Sequence, residues 1–170
     1  MTQHAPLFIV LLPVSAALLC MLFSRIQKNL GSWIVIASIA GAFLSAVFSL
    51  QQVIADGGKA LHYWMGNWQP PLGIEFVIDP ISGALAVLIT FIALLGSLYS
   101  LPFVKEEGWL HIGGYYTLYG LMTVGMCGMV ITGDVFNLYV FLEVMSLSGY
   151  GLIAIGGKKS MLAAFRYLLI

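Results

Sequence analysis

Charge is what this sequence has least of. Charged residues make up 8% of the 170 positions against 61% hydrophobic, and the mean hydropathy is +1.00. A soluble domain carries about 25% charged residues, so too little polar surface exists here to face water on all sides. Lipid is the solvent that fits. Seven basic residues balance seven acidic ones, which removes the positive field that nucleic-acid binding requires. Cysteine is nearly absent as well. Cys20 and Cys127 each lie inside an apolar run, so neither a metal-ligand spacing nor a disulfide framework follows, and both read as small packing residues. There is no GxGxxG before a helix, no P-loop and no HExxH. Paired histidines at haem-ligand spacing and a Ser/His/Asp constellation are missing too. No motif for a cofactor or a metal is found, and whether the chain serves an enzyme stays open.

Met1 to Pro6 carries no lysine or arginine, and no small-residue cleavage site follows the first apolar run. That run reads as a retained helix, not a cleaved leader. About 20 residues at 1.5 Å each cross the hydrocarbon, and apolar stretches of that order predict helices over 7–23, 32–54, 80–103, 113–132 and 134–156. A sixth begins near 160 and is cut at Ile170 after roughly half a span. The expectation is an all-α membrane protein, one transmembrane region over 1–170. Asp79 is the expected N-cap of the third helix, with Pro80 at its first position. Asp134 is likewise an N-cap first, and an outer proton mouth second.

Arg25, Lys28, Lys105, Lys158 and Lys159 follow helices one, three and five, whereas the opposite loops contribute only Lys59. This asymmetry places the amino terminus outside and the basic turns in the cytoplasm. The long loop 55–79 then lies outside. Alternating and β-branched residues flank a Pro/Gly turn at 67–73, which predicts a short extracytoplasmic β-hairpin. Tyr63, Trp64 and Trp68 would sit at headgroup level. The hairpin reads as a cap on the bundle, and His62 as solvated or interfacial.

Most charges stand at helix ends; Glu143 does not. Nine residues into its helix, it is about 13 Å deep. An acid at that depth costs at least ~2.5–3.5 kcal/mol on insertion scales unless protonated, hydrated or paired. Tyr139, Ser146 and Tyr150 share its helix face, forming a polar stripe able to hold water and pass protons between hydroxyls and a carboxylate. The plainer alternative is a glutamate that ties helices together. Arg166 is about 9 Å from the cytoplasmic end of helix six. It either snorkels to the interface or tunes Glu143 through a short water wire. His111, at the cytoplasmic start of helix four, is a secondary tuning candidate.

These residues carry a resemblance. Gly66-Asn67-Trp68-Gln69-Pro70-Pro71-Leu72-Gly73-Ile74-Glu75-Phe76, followed by Asp79-Pro80-Ile81-Ser82, resembles the hairpin and third-helix start of the antiporter-like subunits of complex I. The run Thr132-Gly133-Asp134-Val135-Phe136-Asn137-Leu138-Tyr139-Val140-Phe141-Leu142-Glu143-Val144 resembles their fifth helix, and Lys158-Lys159 with Ala163-Ala164-Phe165-Arg166-Tyr167-Leu168-Leu169-Ile170 resembles the entry to their sixth. Within this family the sequence is nearest the D-type subunits of the Mrp-type cation/proton antiporters. Complex I and membrane-hydrogenase paralogues stay open.

The resemblance implies a fold of about fourteen helices in two inverted five-helix repeats. Its essential fifth-helix glutamate matches Glu143 and pairs with a lysine on a seventh helix. It also implies a bacterial inner-membrane subunit of a multisubunit complex, moving protons and a monovalent cation such as Na+. A redox-driven pump subunit of an NADH-quinone oxidoreductase is the alternative, and an inactive truncated remnant a third.

Overall fold

Where five apolar runs must satisfy their own backbone in lipid, helices are the economical solution. The computed structural model describes residues 4–27, 29–68, 73–104, 109–156 and 158–169. Helix α1 (Ala5–Ile26) has proline near its start and continues through Pro13, while α2 (Leu30–Ala55) returns antiparallel to it. Strands β1 (Leu61–Trp64) and β2 (Glu75–Ile78) follow, then α3 (Pro80–Val104), α4 (Trp109–Ile131), α5 (Val135–Ala154) and α6 (Lys158–Leu168). The first five helices are long and apolar enough to cross a membrane. The eleven-residue α6 is not among them.

Several helices run past their apolar runs, because the backbone keeps its helical bonds as the side chains become polar. Helix α5 instead begins at Val135, with Asp134 as its cap and not its first residue. Asp79 forms a reciprocal box at the start of α3. Its Oδ1 accepts from Ser82 N at 2.6 Å, and Ser82 Oγ accepts from Asp79 N at 2.8 Å, which satisfies donors that a helix start otherwise leaves open.

The two strands form the expected antiparallel hairpin, in a register that opposes Leu61 to Ile78 and Trp64 to Glu75. The chain leaves β1 through Gly66 and Asn67, at φ 66° and 63°, a left-handed conformation that those residue types tolerate. The predicted turn falls largely on 69–72, and these positions lie outside the described residues, as do Lys28 and Lys105 of the orientation argument.

Helix α1 packs between α2 and α4, α3 closes on α2 and α4, and α5 lies along α4. One buried cluster joins α1, α2, α4 and the hairpin through Ile9, Val53, Phe76 and Ile131; a second joins α1 to α4 through Cys20, Ile39 and Tyr116. Both cysteines are free and buried. Small residues let α5 approach α4: a Cβ at Gly125 would lie 2.7 Å from Met145, and one at Gly128 would overlap the Phe141 ring.

Candidate functional site

The start of α5 is fixed from within. Asp134 Oδ1 accepts from Phe136 N at 3.0 Å, and Asn137 Nδ2 donates to Thr132 Oγ1 at 3.2 Å. Asn137, Phe141 and Ser148 are the buried residues of the helix, and Phe141 meets Gly128 of α4. At about 100° per residue, Tyr139, Glu143, Ser146 and Tyr150 fall on the far side from Phe141. The polar stripe therefore faces away from the Phe141–Gly128 contact and along the open flank of α5.

Within that stripe the contacts are graded. Tyr139 is exposed and stands one helical turn before the half-buried Glu143 on the same face. A turn further on, Ser146 and Tyr150 line a cleft of about 650 Å³ with Met122, Met145 and Tyr167. Tyr150 meets Tyr167 of α6 edge to face, ring centroids 5.3 Å apart. Tyr167 also lines a shallower cleft of about 400 Å³ with Lys159 and Arg166. The structure thus brings Ser146 and Tyr150 toward the α6 side of the bundle, where Arg166 is exposed. It makes no Glu143–Arg166 ion pair.

The two secondary candidates hold structure together. Asp134 caps α5, and His111 Nε2 lies 3.2 Å from the Ile155 carbonyl oxygen, tying the start of α4 to the end of α5. Among the described residues, no group of three His, Cys, Asp or Glu side chains is placed to hold a metal ion.

Two participants were not singled out from sequence. Tyr167 follows Tyr150 by a whole turn region, and only the crossing of α5 and α6 shows that their rings meet. Glu75 carried a signal, an acid inside a β-branched strand pattern. Its Oε1 takes both His62 Nδ1 at 2.8 Å and Trp64 Nε1 at 2.9 Å. The His62 bond, with the Trp64 bond and the nearby His62 charge adding to it against a partial desolvation cost, holds the Glu75 carboxyl below its ordinary range.

A bundle of apolar helices with an acid-bearing polar stripe defines an integral membrane protein with an ionisable group among its spans. No family model matches the chain. It is 39% identical over its full length to NADH-quinone oxidoreductase subunit N of Desulforudis audaxviator, covering 34% of that protein. It is 31% identical over 90% of its length to the D-type subunit of the Na(+)/H(+) antiporter of Bacillus subtilis, covering 30% of it. Among solved structures, the archaeal membrane-bound sulfane sulfur reductase superposes with a TM-score of 0.88 at 28% identity, over 98% of this chain and 34% of that one. The Mrp complex of Dietzia sp. DQ12-45-1b superposes at 0.72 and 27% identity, over 89% and 27%. The chain is a homologue of the amino-terminal part of antiporter-like subunits of multisubunit membrane complexes. It spans about a third of the length of the curated relatives it matches.

Proposed function

We propose that the chain is the amino-terminal part of a proton-translocating subunit in a multisubunit Na+/proton antiporter. The observation that carries this is Glu143, an acid in an apolar 20-residue helix, one turn from Tyr139 on the flank that continues to Ser146 and Tyr150. In this reading Glu143 sits near mid-membrane and loads the proton. Tyr139, Ser146 and Tyr150 support a hydrated path, and Arg166 tunes the carboxyl from the cytoplasmic side. Asp134 and His111 mark the two ends of the route. The amino terminus and hairpin lie outside a bacterial cytoplasmic membrane, and α6 begins a further span. Lipid, other subunits, protons and a monovalent cation are the partners.

The similarity to an NADH-quinone oxidoreductase subunit N, at 39% identity, favours a second reading, in which redox chemistry elsewhere in the complex drives the same proton step. Everted vesicles containing the full-length protein in its complex separate the two. Addition of Na+ or K+ collapses an imposed pH gradient if the complex is an antiporter. Acid accumulation on NADH addition, with no cation response, contradicts that and supports the pump.

A further inference from the structure

The hairpin does more than cover the bundle. Its second strand reaches the corner between α4 and α5 at three points. The Glu75 carbonyl accepts from Gly133 N at 2.9 Å, Phe76 makes an antiparallel bridge with Thr132, and the Phe76 ring lies 6.4 Å from that of Phe141. Gly133 is required there, since a Cβ would come within 2.7 Å of Val77 Cγ2. Phe141 is two residues from Glu143 and is itself seated on Gly128. Phe76 therefore packs on the part of α5 that carries Glu143.

The Glu75 side chain adds a tie between the two strands beyond their ladder. Trp64 and Glu75 face each other at the turn end of the ladder, where a two-stranded ribbon frays most easily. One carboxylate oxygen accepts from both β1 donors there, and bonds to an ionised acceptor are the stronger kind. Glu75 is 18% exposed against 53% for His62, so the carboxylate lies inward of its partner. His62 is the titratable group facing it from β1. His4, just before α1, bonds Tyr63 on the same strand at 3.0 Å, and Asp134 follows Gly133 in the chain.

We infer that Glu75 is a positioning residue for α5: by clamping β1 to β2 it holds the α4–α5 corner, and through Phe76 and Phe141 the Glu143 carboxyl, in its working orientation. The inference rests on Glu143 as the proton-loading group for its transport readout, but not for its structural one.

The test uses the full-length protein in its assembled complex. Hydrogen exchange across 135–141 and the rate and pH midpoint of proton transport are measured for Glu75→Leu, Glu75→Gln and Glu143→Gln. In Glu75→Leu, exchange at the start of α5 should accelerate at least about tenfold. Transport should fall by roughly the same factor, as misplacing a reacting group does, with a shifted pH midpoint. The Glu75→Gln oxygen still accepts from Trp64 and should recover most of both. If Glu75→Leu does not accumulate, His62→Leu with Trp64→Phe removes the two donors and carries the same expectation. Unchanged exchange over 135–141 overturns the inference whatever transport does. Faster exchange with wild-type rate and midpoint, while Glu143→Gln is inactive, overturns it as well. Full transport in Glu143→Gln would sink the proton-loading reading alone, and exchange then decides the role of Glu75.

Discussion

Asp79 and Glu75 stand four residues apart, one just past the foot of β2 and the other at its turn end, and hydrogen bonds to their ionised forms, more than burial, set their chemistry. The Ser82 backbone N–H, then its hydroxyl, holds the Asp79 carboxyl below its ordinary 3.8; His62 and Trp64 do the same for Glu75 below 4.5. Each carboxylate therefore contributes stability that is present above its ordinary pKa and is lost as pH falls through the lower folded value. The thermal stability of the solubilised full-length protein should fall as pH drops below the ordinary values of 4.5 and 3.8, and Asp79→Asn should flatten that slope. Asp79→Ala should cost about 1 kcal/mol at neutral pH as a lost helix cap. On the polar stripe, Tyr150→Phe keeps the ring against Tyr167 and removes only the hydroxyl. If that hydroxyl relays protons, transport slows by at least roughly tenfold with assembly unchanged; an unaltered rate assigns Tyr150 to packing.

At the level of elements, α4 and α5 are joined by close backbone approach. Gly128→Ala would force a methyl into the Phe141 ring, and overpacking of this kind costs about 1–3 kcal/mol, read as a lowered melting temperature of the full-length protein. Gly125 and Gly128 stand in the fourth apolar run, and residues this small let helices come close. Which helix they meet was not legible, since that depends on the rotation of α5 about its own axis. The hairpin divides in the same way. Its existence followed from alternation around a Pro/Gly turn. Its docking on Thr132 and Gly133 is a contact between residues more than fifty positions apart, and no local pattern encodes it.

For the whole molecule, burial is uneven. Inside the bundle 44% of the α4 span is buried, but only 17% of α5. Exchange measured on this chain in lipid nanodiscs should therefore be faster in α5 and α6 than in α1, α2 and α4, because fewer contacts must open; equal protection would contradict the open flank. The five spans were readable because lipid demands long uninterrupted apolar helices. The polar stripe was readable because helical periodicity needs no partner. Its outward direction was not, for an acid in an apolar helix is ordinarily expected to face a neighbour. The central claim is that the carboxyl of Glu143 carries the proton. Cation-driven or redox-driven proton movement in vesicles bearing the full-length protein, compared between wild type and Glu143→Gln at equal complex abundance, tests it most directly. The account predicts that coupled transport is abolished while the complex still assembles; transport at the wild-type rate in Glu143→Gln would contradict it.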